Sequence, residues 1–151
     1  MFRLSKKLLF AIEAVVDIAY HSGDQPVQSS VITERQGIPR RYLEQVLQQL
    51  VRAGILSGVR GPRGGYRLAR ERRLISLGDI VRVVRAMESA QDPIDDPAGS
   101  SLGREVVRPI WDQMQESCMA KLDDTTVDDL CRAARERGIA REGVPAVDWS
   151  I

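Results

Sequence analysis

Residues 36–69 read QGIPRRYLEQVLQQLVRAGILSGVRGPRGGYRLA, and they gather most of the side chains that could do chemistry. Arg40, Arg41, Glu44, Gln45, Gln48 and Gln49 alternate with Leu43, Val46, Leu47, Leu50 and Val51, which repeat at three- and four-residue steps. That spacing makes a helix with one apolar stripe and one polar face. Guanidinium forks suit phosphates and guanine, glutamine pairs with adenine, and glutamate accepts from cytosine N4. Two further arginines, Arg60 and Arg63, flank and enter the turn Gly61-Pro62-Arg63-Gly64-Gly65. A polar-faced helix followed by a basic hairpin is the reading end of a winged helix-turn-helix: the helix enters a major groove and the hairpin arginines reach sugar-phosphate or the minor groove. The implied partner is double-stranded DNA.

The remaining reactive groups are sparse. The chain holds two cysteines, Cys118 and Cys131, and one histidine, His21. No nucleophile–base–acid set, phosphate-cradling loop or metal-ligand spacing is present, which argues against an enzyme. The glycine-rich tip joins two strands and opens no helix, so it is not a nucleotide loop. Cys118 lies on an apolar stripe, where it is either a small hydrophobe or a thiol switch able to shift two paired helices; Cys131 could be its partner. His21, just past the first helix, reads as a surface residue.

The elements that must position these residues follow from periodicity and punctuation. The first helix is predicted over 5–22, with Ser5 as N-cap, Gly23 as stop, and Leu8, Leu9, Ile12, Val15, Val16 and Ala19 as its buried face. Lys6 and Lys7 near its start are either phosphate contacts or simply solvated. Ser29 or Ser30 caps a short helix ending near Arg35 with Val31 and Ile32 inward, and Gln36-Gly37 turns the chain into the next helix, with Pro39 in its first turn and Ala53-Gly54 as its stop. Strands are predicted at 55–60 and 66–69, with 70–73 a solvated connector. Ser76 and Asp79 resemble a capping box opening a helix over Ile80, Val81, Val83, Val84 and Met87. Residues 88–101 are acidic and rich in Pro, Gly and Ser, and read as a loop. Val106, Val107, Ile110, Trp111, Met114, Cys118 and Leu122 mark a long amphipathic helix with Pro109 in its first turn or at a kink. Its stripe either folds back on its own core or pairs with a second copy; we favour the homodimer, whose two-fold symmetry matches a palindromic operator. Thr125 or Thr126 caps a last helix over Val127, Leu130, Cys131 and Ala134.

The fold class is thus mainly α with a small β-hairpin wing: a winged helix-turn-helix at 1–87, an acidic loop at 88–101, dimerisation helices at 102–138 and an aperiodic tail at 139–151 in which Trp149 is docked or free. The formal net charge of +1 hides a division, because residues 1–75 carry a net +7 and residues 76–151 a net −6. The first half suits a polyanion that the second half would repel. There is no apolar run long enough to span a membrane, Glu13 and Asp17 break the signal-like start, and two cysteines make no disulfide framework, all of which points to the cytoplasm.

Several motifs together resemble the Rrf-two family of bacterial winged-helix regulators: Arg3-Leu4-Ser5 with Lys7, Arg41-Tyr42-Leu43-Glu44-Gln45, and Val59-Arg60-Gly61-Pro62-Arg63-Gly64-Gly65-Tyr66-Arg67-Leu68. Residues 75–84 and the Ile110-Trp111 pair also match. The resemblance implies a homodimer in which Tyr42, Glu44 and Gln45 face bases or the adjoining backbone, Arg60 and Arg63 serve the wing, and Lys7 meets a phosphate. For Glu44 the alternative is an ion pair on the exposed face. Cluster-binding members carry three closely spaced cysteines before the long helix and a histidine shortly before the tryptophan. Here residues 88–107 contain no cysteine, and Arg108 stands where the histidine would be. Thiolate ligation of an iron–sulfur cluster needs about four donors, so the expectation is no cofactor, with Cys118, Cys131, His21 and carboxylates the sole material for a non-standard site. The leading expectation is a dimeric regulator, a repressor, responding to a thiol signal, a small ligand or an effector protein. The alternative is an interaction module whose acidic half binds a metabolic enzyme.

Overall fold

A computed structural model describes residues 4–88 and 96–142, so the acidic segment 89–95, Arg3 and the tail from 143 with Trp149 lie outside the described residues. Helix α1 (Lys6–His21) is the centre of the fold, packed by helices from both halves of the chain. Ser5 caps it, its Oγ accepting from the Leu8 N–H at 3.2 Å. The buried face is Ala11, Ala14, Val15, Ile18 and Ala19; Leu9 is exposed and Leu8, Ile12 and Val16 only half-buried, which corrects the expected face. The rotation has a cause. A helix covered from several sides turns its small residues inward, because alanines let the neighbours approach.

Helices α2 (Ser29–Gln36) and α3 (Arg40–Arg52) form the helix-turn-helix. Gly37 turns the chain between them at φ 64°, a left-handed conformation that glycine adopts without steric cost. The cap of α2 is Gln28, with Ser29 and Ser30 in the first turn; Pro39 is the cap of α3 and not its first-turn residue. Ile32, Ile38, Leu43, Val46, Leu47 and Leu50 anchor the pair in the core. Strands β1 (Leu56–Val59) and β2 (Gly65–Leu68) pair antiparallel from Leu56–Leu68 to Val59–Gly65. Val27, from the α1–α2 loop, forms a single-residue bridge to the wing: it donates to Tyr66 O at 2.9 Å and accepts from Tyr66 N–H at 2.8 Å. A Cβ on Gly65 would lie 2.5 Å from Val27 O, so only glycine permits this approach.

The connector at 70–73 is not simply solvated. It leads into a 3-10 turn (Arg72–Leu74), and Arg72 Nε pairs with Asp128 Oδ1 of the last helix at 2.8 Å. Helix α4 (Leu77–Met87) opens on the Ser76–Asp79 capping box, and α6 (Val127–Glu136) on a matching Thr126–Asp129 box. Two backbone bonds join these caps, from Leu77 N–H to Thr125 O at 2.8 Å and from Val127 N–H to Ile75 O at 2.9 Å. Val127 and Cys131 are fully buried in the same core as α1. Helix α6 therefore completes the body around α1, although the sequence division groups it with the dimerisation segment.

Helix α5 (Arg108–Asp124) continues from a π turn (Gly103–Val107). Pro109 has no N–H to offer the carbonyl four residues back, and the register loosens immediately before it. No residue of α5 is buried; Leu102, Val106, Val107, Ile110, Trp111 and Met114 are exposed. No described helix is long and apolar enough to cross a membrane.

Candidate nucleic-acid interface

Helix α3 presents its polar face because its other face is committed. Leu43, Val46, Leu47 and Leu50 are fully buried, which leaves Arg40, Arg41, Tyr42, Glu44, Gln45 and Gln48 exposed. The wing is exposed from Val59 to Arg63. Between α3, the start of α2 and the wing lies an open cleft of about 660 Å³, lined by Gln28, Ser29, Ser30, Arg40, Arg60 and Tyr66 among others. Arg40 and Arg60, predicted separately, thus face one space. The serines read as caps are wall residues there, a role that spacing did not reveal; hydroxyls ahead of a polar-faced helix were the available signal.

Lys7 is half-buried and shares a crevice with Gln45, Gln48, Gln49 and Met87, beside the middle of α3 and away from the wing. Arg63 lines a different cleft from Arg60, beside His21, Gln25, Val31, Arg35 and Glu142. The two wing arginines therefore face separate spaces. The Tyr42 ring lies 6.4 Å from that of Phe10, tilted by 44°. Glu44 Oε1 pairs with Arg40 Nε at 2.9 Å, both side chains exposed, so the expected alternative for Glu44 exists in the DNA-free chain. Arg41, Arg60 and Arg63 have no carboxylate partner among the described residues. Unpaired guanidiniums on α3 and the wing create a positive potential suited to phosphates.

The other predicted positions scatter. Ile110, Trp111, Met114 and Cys118 lie exposed on α5, while Leu122 is half-buried. Cys118 and Cys131 are both free thiols; Cys131 is buried, and burial pushes its thiol pKa up. His21 is not a surface residue. It ends α1, is 9% exposed, and its Nδ1 accepts from the Glu142 N–H at 2.9 Å. Burial, then the Arg35 charge, pull its pKa down against Asp17 and Glu142. Asp17 is likewise buried, its carboxylate taking Arg35 at 2.8 and 3.0 Å and Gln36 at 2.7 Å. The beginning of the tail is docked onto this group: Arg35 Nη1 meets Glu142 Oε2 at 3.1 Å, Arg141 Nε donates to Tyr20 O at 2.9 Å, and the Tyr20 hydroxyl donates to Ile139 O.

A family profile described as "Iron-dependent Transcriptional regulator", Rrf2, matches residues 4–133. The transcriptional regulator IscR of Photobacterium profundum is 34% identical over 130 residues, covering 86% of this chain and 76% of that one. Protein rrf2 of Nitratidesulfovibrio vulgaris is 32% identical over 133 residues, covering 87% and 89%. Among solved structures, T. potens IscR superposes with a TM-score of 0.74 at 35% identity, covering 93% of each chain. CymR, the global cysteine regulator of B. subtilis, does so with a TM-score of 0.72 at 28% identity, covering 88% and 98%.

The profile's iron can be tested against the donors. The whole chain has two cysteines and one histidine. Cys131 is sealed in the core, Cys118 faces solvent on another helix, and the His21 Nδ1 lone pair is taken. No three His, Cys, Asp or Glu side chains come together for a metal among the described residues. Arg108, where the resemblance would place a histidine, donates to the carbonyls of Asp96 and Ala98. A guanidinium is a donor only and cannot ligate a metal. These residues do not fit a cysteine-ligated cluster.

Proposed function

The chain belongs to the Rrf2 family of transcriptional regulators, and from that membership we propose that it is a homodimeric repressor that binds a palindromic DNA site without an iron–sulfur cluster. The observation that carries the reading is the cleft where Arg40 of α3 and Arg60 of the wing face one space, backed by unpaired Arg41 and Arg63. In the bound state α3 enters the major groove. Tyr42, Glu44 and Gln45 meet base edges, Lys7 and the serines at the start of α2 meet phosphates, and the wing reaches the minor groove. The exposed apolar side chains of α5 support the homodimer, since a second copy of α5 would remove them from water and set two α3 helices on one face. A regulator of this kind works in the cytoplasm, where the bacterial chromosome is.

Of the inputs open to it, a thiol signal would enter at Cys118, because Cys131 is sealed in the core. A small ligand or an effector protein are the other two. The experiment is a fluorescence-anisotropy titration against a palindromic duplex selected from a random pool, over a range of salt and with and without a mild thiol oxidant. Affinity should fall steeply with salt, as expected when several phosphates are neutralised. Absence of binding even at low salt would refute the DNA reading and favour an interaction module. Loss of binding on oxidation that persists in Cys118→Ser would remove the thiol reading.

A further inference from the structure

The cleft of about 380 Å³ that Arg63 lines is separate from the α3 face. Its floor is Arg35, whose side chain is 14% exposed. Two of its three guanidinium nitrogens are bound by the buried Asp17 carboxylate, at 2.8 and 3.0 Å, so the fork is fixed in direction. Only Nη1 is left for the cleft. It holds the Glu142 carboxylate at 3.1 Å, and that side chain is 62% exposed. The chain itself thus seats a carboxylate here, by a contact of the kind solvent readily exchanges. Facing it from the wing is Arg63, which has no carboxylate partner among the described residues. His21, Val31 and Gln25 complete the lining with a ring, an apolar wall and an amide.

We propose that this cleft is a binding site for a small dicarboxylate, one carboxylate replacing Glu142 on Arg35 and the other taken by Arg63. Two guanidiniums lining a small cleft match two carboxylates better than one inorganic anion, because Arg35 Nη1 already holds a carboxylate there and the unpaired Arg63 fork can take a second, planar one through paired N–H donors. An occupied cleft would also withdraw Arg63 from DNA. That consequence rests on the DNA reading, whereas the binding itself is tested without DNA.

His21 is the chain's one histidine, and its ring is held by the Glu142 backbone beside the cleft, so its imidazole signals are a resolved reporter. The full chain is titrated with succinate, succinamide and inorganic phosphate at constant ionic strength, following the His21 ring resonances. Succinate should shift them saturably, at a lower midpoint than phosphate, and succinamide should leave them in place. Glu142→Gln, which removes the internal competitor, should tighten succinate on the order of threefold, and Arg63→Gln should weaken it by a similar factor, as for single exposed charge contacts. No saturable shift up to roughly 50 mM succinate, a range that includes affinities far weaker than a millimolar Kd, would overturn the site. Equal midpoints for succinate and phosphate would overturn the dicarboxylate assignment, and an unchanged midpoint in Arg63→Gln would overturn the second arm.

Discussion

Arg60 and Glu44 show how single side chains on the DNA-facing side are poised. Among the described residues Arg60 has no carboxylate to give up, and it shares its cleft with Arg40. Replacing it with Ala should weaken operator binding by roughly tenfold or more and lower the salt slope by about one unit per wing, as loss of one groove or phosphate contact requires. Unchanged affinity in the anisotropy titration would remove the wing from the reading. Glu44 is held differently, in an exposed pair with Arg40 at 2.9 Å. A surface pair one helical turn apart contributes only about 0.3–0.5 kcal/mol. That is less than a good base contact supplies, so both partners are available to DNA at little cost.

At the scale of elements, α5 and the tail segment 139–142 are opposites. Helix α5 packs on α4 yet leaves much of its apolar stripe exposed among the described residues, Ile110 being 57% exposed. Ile110→Glu should convert a dimer to a monomer in sedimentation equilibrium while leaving the helical circular-dichroism signal intact, since more than half of this side chain is exposed in the protomer. A dimer that survives this change would mean that the copies meet elsewhere. Segment 139–142 has little periodicity yet is tied to α1 and α2 by Tyr20, His21 and Arg35. Burial first, then the charges of Arg35 and Arg141, lower the His21 pKa against the opposing Asp17 and Glu142. A histidine depressed below its usual value of about 6.5 favours the neutral ring in the folded state, so its contribution is full above that pH. The contribution is lost as pH falls from about 6.5, where the unfolded state gains its proton, through the lower folded pKa. A protonated Nδ1 also cannot accept from Glu142. The melting temperature should therefore decline below about pH 6.5 more in the wild-type chain than in His21→Asn, which keeps an acceptor that does not titrate. Parallel pH profiles would show that His21 is uncoupled from stability.

For the whole molecule, the charge division and the packing give one arrangement. The basic half supplies α3 and the wing, and the acidic half supplies α5. Helix α6 nevertheless sits in the common core, its cap bonded to that of α4 and Asp128 paired with Arg72 behind the wing. The end of α5 therefore meets a junction in which backbone hydrogen bonds join the α4 and α6 caps directly. The cleft at Arg35 lies on a second route, from the tail through α2 to the wing tip.

The amino-acid order alone determines the parts built from neighbours. The apolar stripe of α3, the Gly37 turn, the Gly61–Gly65 tip and the Ser76 and Thr126 caps depend on residues within one or two turns, so local spacing specifies them. The same short motifs carry the family likeness. Tertiary structure alone decided the rest. Leu9 turned outward and Asp17 inward because α1 is covered by elements far away in sequence. His21 and Arg35 meet Glu142 at separations of 121 and 107 residues, and Arg72 meets Asp128 of the last helix. No periodicity encodes such pairs. A buried ring or carboxylate such as His21 or Asp17 must find a partner, and for these pairs which group is near depends on how the helices pack.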